Sequence, residues 1–249
     1  MLNTIKASLN DIGNFFRFAG RFFTEILQPP VETRAFIRQC YIIGYRSLPI
    51  VTLTGFIMGL VLTIQTRPTL AAFGAESWLP GMVSLSLIKE IGPVITALIC
   101  AGKISSGIAA ELGSMKVTEQ IDAMEVSGTN PLKYLVVTRV LAATFMLPIL
   151  AILSDAISLY GSYLGVNIRG STSFYLFWTQ VFDNLSFSDV LPAFIKTFFF
   201  GFAVGIIGCY KGYNSSKGTE GVGRSANSAV VVSSVMIFIL DLIFVIGKP

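Results

Sequence analysis

The sequence predicts an all-α polytopic membrane protein: an N-terminal amphipathic interfacial helix, about five transmembrane helices, and a short polar helix between the second and third of them. Three observations carry this. Hydrophobic residues make up 53% of the 249, with a mean hydropathy of +0.72. Charged residues make up 13%, roughly half the ~25% of an ordinary soluble domain. Several apolar runs reach the ~20 helical residues that cross a ~30 Å hydrocarbon core. The runs are continuous rather than alternating, which excludes an outer-membrane barrel. We read residues 1–249 as a single domain, with interfacial helices over 1–46 and a five-span bundle over 48–247.

Residues 2–27 place Leu2, Ile5, Leu9, Ile12, Phe16, Ala19, Phe23 and Ile26 at steps of three and four, with Lys6, Asn10, Asn14, Arg17, Arg21 and Thr24 on other faces. This pattern fits a helix lying in the membrane interface; a core helix of a soluble domain is the alternative. No unbroken apolar stretch followed by a small-residue cleavage site is present, so the segment does not read as a secretory signal. Pro29-Pro30 ends it. A mixed segment, 31–46, carries Arg34, Arg38 and Arg46 toward the first span.

The spans fall at about 48–66, 81–110, 134–165, 190–210 and 228–247. Basic residues fix the expected orientation. With the N-terminus inside, the cytosolic segments hold Lys6, Arg17, Arg21, Arg34, Arg38, Arg46, Lys103, Lys116, Lys133, Arg139, Lys211, Lys217 and Arg224. Only Arg67, Arg169 and Lys248 fall outside. The C-terminus is then expected outside. In the second span, Gly92-Pro93 predicts a kink. Gly102, Ser106, Ala110 and Gly113 form a small-residue stripe, and Gly55 and Gly59 a second pair; both predict close helix packing, within the chain rather than between copies. Residues 166–189, rich in Phe, Tyr and Trp, read as an outer interfacial loop.

Several functions are excluded or weakened. The net charge of +4 follows membrane topology, so nucleic acid is not implied. Cys40, Cys100 and Cys209 have no paired spacing and histidine is absent, which leaves neither a disulfide framework, a metal site nor the usual general base. Gly218 through Ser225 approaches a phosphate-binding loop, with Arg224 where lysine belongs. That motif works only between a strand and a helix, so the stretch reads as a turn into the last span. ATP-driven work would need a nucleotide site in another chain.

Lys89, Glu90, Asp155, Lys196 and Asp241 fall inside the predicted spans. An ionisable group at that depth costs at least ~2.5 kcal/mol unless it is paired or faces water. Counted from the outer span ends, all sit in the outer half of the membrane. Two readings are open. Lys196 snorkels and the rest form structural pairs, or the five line a cavity suited to the head group of an amphiphile.

Glu119, Asp122 and Glu125 place three carboxylates within seven residues between two apolar blocks. Thr118 is the expected N-cap, Gly128 the C-terminal stop, and Pro131 lies beyond. Ile121, Ala123 and Met124 supply a short apolar face. So short a helix is marginal alone in water, so it should dock on something.

The run Leu87-Ile88-Lys89-Glu90-Ile91-Gly92-Pro93-Val94, then Ala101-Gly102-Lys103, then Ala110 through Met124, then Pro131-Leu132, Arg139 and Ala142, closely resembles the MlaE/YrbE family of permeases, which belong to ABC transporters working with Mce-domain proteins. The resemblance extends to the Lys211–Ser228 loop and Leu240-Asp241. Thr138 stands where the family usually has proline, which bears on where the third span starts. The resemblance implies a homodimeric, non-catalytic permease in the bacterial inner membrane. ATP and Mg would be bound by separate cytosolic ATPase subunits, with a periplasmic Mce-domain ring and in some systems a small cytosolic accessory subunit. The implied cargo is glycerophospholipid or a related lipid. It further implies a lipid pathway at Glu90, Lys196 and Asp241; Asp155 matches no charged family position, and it and Lys89 join the candidate pathway only as intramembrane charges. It implies a coupling element near 118–130 that involves Glu119, Gln120, Asp122, Ala123, Met124, Gly128, Pro131 and Arg139. The rival reading is an ion-coupled secondary transporter of an amphiphile, for which intramembrane carboxylates are equally natural, although repeated halves are not apparent.

Overall fold

A computed structural model of the protein describes residues 2–27, 32–168, 170, 172–216 and 218–247. Pro29, Pro30, Arg169, Lys217, Lys248 and the side chains of residues 2–9 and Ile12 lie outside the described residues. The described residues are all helix and connection, and five helical stretches are long and apolar enough to cross a membrane: Thr33–Ala72, Glu76–Val117, Leu132–Asn167, Phe187–Tyr213 and Thr219–Ile246. The protein is an all-α polytopic membrane protein. The helices run past the predicted spans at most ends because polar flanks continue the same hydrogen-bond ladder.

Helix α1 spans Leu2–Ile26. A second apolar side, beyond the predicted stripe, packs on the protein. Phe18 and Phe22 are buried, with Phe15, Ala19 and Ile26 against the same core, while Phe16 and Phe23 are exposed. The aromatic-rich segment therefore has two apolar surfaces, one on the protein and one facing outward. Helix α2 (Thr33–Gly44) continues through a tight turn at Tyr45–Ser47 into α3 (Leu48–Ala72), so the mixed segment and first span form one rod.

The second span consists of α4 (Leu79–Ser86), α5 (Gly92–Cys100) and α6 (Ser106–Val117), joined by π-helical turns at Leu87–Ile91 and Ala101–Ser105. The disruption expected at Gly92-Pro93 takes the form of the first π turn. Proline removes a donor and crowds the carbonyl one turn back, and the wider turn makes room for it. After α7 (Gln120–Val126), a third π turn at Leu132–Val137 leads into α8 (Thr138–Asn167). Thr138 Oγ1 donates to the Tyr134 carbonyl, within the π turn, at 2.7 Å. The third span thus starts at Leu132, and the residue in place of proline supplies a hydroxyl there. The presumed outer loop contains α9 (Phe174–Asn184), N-capped by Ser173 Oγ accepting from the Leu176 N–H at 3.3 Å. Phe177 and Val181 are buried with Leu79, Val83 and Leu87 in a separate small core, which turns the loop into a packed lid on α4. Helices α10 (Phe187–Tyr213) and α11 (Thr219–Ile246) complete the bundle. The glycine-rich stretch that follows Gly218 forms the first turns of α11, and no strand precedes it among the described residues.

Without a hydrophobic drive between helices in lipid, close backbone approach holds the bundle together. At Gly59 an added Cβ would lie 1.8 Å from the Ser158 carbonyl oxygen, and at Gly161 one would lie 2.3 Å from that of Phe56, so α3 and α8 touch backbone to backbone. Thr63 Oγ1 adds a hydrogen bond to Ser162 Oγ at 2.8 Å. The Gly55/Gly59 pair packs as predicted. The stripe from Gly102 divides: nothing lies within 4 Å of a Cβ at Gly102, whereas one at Gly113 would lie 3.1 Å from Ser215 Oγ and 3.5 Å from Ser225 Oγ. Close packing is also supplied by a series not singled out in the sequence, Gly201, Gly205, Gly208 and Gly212 on α10, which meets Ala143, Val140, Ser105 and Ala109.

Candidate functional site

Helix α10, the first π turn and α11 bring three charges together. Lys196 Nζ donates to Glu90 Oε2 at 2.5 Å and to Asp241 Oδ1 at 2.8 Å. The lysine side chain is 3% exposed in the isolated chain, against 39% for Glu90 and 20% for Asp241. Lys196 therefore does not snorkel. It is a cation buried between two more exposed carboxylates. Such an arrangement is stable only while every member is paired. The π turn places Glu90, since one extra residue per turn rotates that stretch of the span relative to its α-helical neighbours.

Lys89 does not join the triad. Its Nζ pairs with Asp189 Oδ1 at 2.6 Å, near the start of α10. Asp189 was missed in the sequence because it lies just before the predicted fourth span, where a carboxylate looks like ordinary solvent-facing polarity. Asp155, on α8, also stands apart. Its Oδ1 is buried without a hydrogen-bond partner among the described residues. A Cβ on Gly92 would lie 1.9 Å from that oxygen, so only glycine beside Pro93 admits the carboxyl group. Asp155 borders an apolar cavity of about 200 Å³, walled by Ile88, Pro93, Ala151, Leu191, Phe194 and Thr197 among others. None of the triad residues lines this cavity, but two of its wall residues, Pro93 and Thr197, lie three and one residues along from Glu90 and Lys196. Fixed charge and an apolar recess thus share the same helices, the two surfaces an amphiphile requires. No group of His, Cys, Asp and Glu able to hold a metal occurs among the described residues.

The second set of predicted residues lies at the opposite end of the same spans. Glu119, not Thr118, occupies the N-cap position of α7, in the left-handed conformation (φ 57°) and without a side-chain cap. Thr118 Oγ1 instead donates to the Ser114 carbonyl at 2.9 Å and closes α6. A left-handed non-glycine residue costs about 1–2 kcal/mol and produces the sharp reversal between α6 and α7. Gly128 (φ 79°) ends α7 as expected: its N–H reaches the Glu125 carbonyl at 3.0 Å, and the Thr129 N–H reaches that of Met124 at 3.0 Å. This is the paired 5→2 and 6→1 pattern of a Schellman stop.

Docking of α7 is visible. Ile121 is fully buried and Met124 packs on the main core. Lys116 Nζ meets Asp122 Oδ1 at 2.8 Å, and Tyr213 donates its hydroxyl proton to Glu125 Oε1 at 3.3 Å. Gln120, Ala123 and Val126 remain exposed with Glu119. Pro131 is buried, and so is Arg139, whose Nη2 pairs with Glu111 Oε1 at 2.8 Å; neither shares the exposed face. Helix α1 is tied to this end through Asp11, which accepts from the Tyr210 hydroxyl and pairs with Lys211 Nζ at 3.0 Å. The Tyr210 hydrogen bond, helped by Lys211, holds the Asp11 carboxyl below the usual carboxylate range.

Residues 36–246 match the family model described as Permease MlaE. A probable ABC transporter permease protein of Rickettsia typhi is 42% identical over 95% of this chain and 91% of its own length. The intermembrane phospholipid transport system permease protein MlaE of Haemophilus influenzae is 36% identical over 98% of this chain and 96% of its own. A probable ABC transporter permease protein of Synechocystis is 38% identical over 90% and 85%. With the family model covering all five membrane-spanning stretches except the outermost residues, the chain belongs to the MlaE permease family.

Proposed function

We propose that this chain is the membrane subunit of an ABC transporter that moves glycerophospholipid, or a related lipid, between the inner membrane and a periplasmic Mce-domain partner. The observation that carries the reading is Lys196, buried between Glu90 and Asp241, on a helix whose next residue, Thr197, walls an apolar cavity. The names borne by the Haemophilus and Rickettsia relatives support the cargo and the transporter class. In this reading the chain itself is non-catalytic and ATP and Mg are bound by separate cytosolic subunits. On the same reading the N-terminus, α7 and the ATPase contact are cytosolic and the C-terminus periplasmic, which the distribution of basic residues supports. Two copies form the permease. The outward-facing α11, with Val231, Val235, Phe238 and Leu242 exposed, supplies apolar surface for that pairing.

The exposed face of α7 (Glu119, Gln120, Ala123) enters the ATPase. Asp122 and Met124 anchor it to the permease, while Gly128, Pro131 and Arg139 set its exit. Closure of the ATPase pair moves α7, and α6 carries the movement up the second span to the π turn that holds Glu90. The cavity narrows and lipid leaves toward the Mce ring, or travels the opposite way. The chain's own residues bind, orient and release; no covalent step is involved. Purification with candidate ATPase subunits, followed by lipid mass spectrometry and ATPase assays, tests the reading. Co-purified phospholipid with lipid-stimulated ATPase activity is expected. Uptake driven by an ion gradient with no ATPase partner would replace it with the secondary-transporter reading.

A further inference from the structure

At the end of the bundle that carries α1, α2 and α7, a second pocket of about 180 Å³ opens between α2, α6 and the start of α8. Its polar lining is Arg38, Gln39, Glu111, Tyr134, Thr138 and Arg139; none of the triad residues borders it. Arg139 is 3% exposed. Its Nη1 donates to the Leu135 carbonyl at 2.9 Å and its Nη2 pairs with Glu111. Its Nε is buried with no partner among the described residues. Arg38 makes no ion pair among the described residues. The pocket therefore holds two guanidinium groups against one carboxylate, with N–H groups left over.

A buried guanidinium with unused donors is costly, so the pocket favours a ligand that brings acceptor oxygens and negative charge. The planar fork of arginine matches a phosphate group. Basic pockets between membrane helices near one leaflet are suited to lipid head groups. A larger and mainly apolar cavity of about 370 Å³, walled by Ile26, Phe36, Val137, Leu141 and Phe145, adjoins the first through their shared residue Thr138. An apolar chamber next to a phosphate-sized pocket favours a phospholipid over free phosphate. We propose that Arg38 and Arg139 hold the phosphate of a phospholipid from the adjoining leaflet, at a site remote from the triad. Glu111 competes with that phosphate for Arg139. The site stands on its own residues and holds whether or not the transport reading does.

The test uses the full chain in detergent with a photo-crosslinking residue in place of Ile42, which lines the pocket. Short-chain phosphatidylglycerol is titrated and the lipid adduct is read by mass spectrometry. The adduct should saturate. Arg38→Gln should require about tenfold more lipid, the loss of roughly one charge-assisted contact. Glu111→Gln should require several-fold less, because it frees Arg139. Equal titration of Arg38→Gln and the parent chain would overturn the proposal. So would short-chain diacylglycerol labelling as well as the phospholipid, or inorganic phosphate displacing the lipid at equal concentration, which would mark a simple ion pocket.

Discussion

Lys196 and Glu90 meet at 2.5 Å across 106 residues of sequence, and the same ammonium holds Asp241 at 2.8 Å. One cation thus ties the second, fourth and fifth membrane-spanning helices together. Lys196→Met leaves two carboxylates uncompensated and should lower stability by about 3 kcal/mol. Adding Glu90→Gln restores charge balance with Asp241 only in part, and the pair should show a coupling energy of about 1–3 kcal/mol. Thermal unfolding of the single and double variants in detergent measures both.

Glu119 makes no ion pair among the described residues, whereas Asp122 is held by Lys116. Glu119→Lys therefore reverses an outward charge and leaves the packing of α7 alone. Association with the ATPase subunits should weaken about tenfold, equivalent to ~1.4 kcal/mol, at unchanged thermal stability. Co-purification with unaltered stoichiometry and unaltered lipid-stimulated ATPase activity would remove this face from the contact.

The backbone contact between Gly59 and Ser158 sets a packing prediction. Gly59→Ala must push α3 off α8 and should destabilise the fold by about 1–3 kcal/mol. Gly102→Ala, with open space around it, should stay within about 0.5 kcal/mol of the parent. Unfolding midpoints of the two variants, compared side by side, decide whether close approach or small size alone matters.

Asp11 ties α1 to Tyr210 and Lys211 at the end that carries α7. Its carboxyl lies below the usual range in the folded protein. The tether's contribution is therefore complete above the ordinary carboxylate range and is lost as pH falls through the lowered folded value. Hydrogen exchange of α1 amides should stay slow as pH drops toward that range and quicken below it. Asp11→Asn should remove that dependence.

Much of this was legible in sequence because the strongest constraints in a membrane are local. Runs of apolar residues located all five spans, and the expense of charge in lipid singled out Lys196, Glu90 and Asp241 before their contact was visible. What failed was pairing and placement. Lys89 was grouped with the triad because it adjoins Glu90, but the π turn directs it to Asp189, and no periodicity rule anticipates a π turn. Thr118 has the right chemistry for a cap, yet a left-handed Glu119 displaced it. The α9 lid was hidden because its aromatic residues resemble an interfacial loop until their burial against α4 is seen. The glycine series on α10 is readable at its small-residue spacing, and in the stripe that begins at Gly102 it is the far member, Gly113, that packs closely, on Ser215 and Ser225, while Gly102 itself faces open space.

The central claim is that lipid passes beside the Glu90–Lys196–Asp241 triad under control of an ATPase partner. The most direct measurement places a photo-crosslinking residue at Leu240, next to Asp241, in the assembled transporter, and identifies adducts by mass spectrometry with and without ATP. The account predicts a phospholipid adduct whose yield changes several-fold when ATP is added, against an unchanging yield at exposed Leu53 on α3, away from the pairing surface of α11. Equal, ATP-independent labelling at both positions would contradict it.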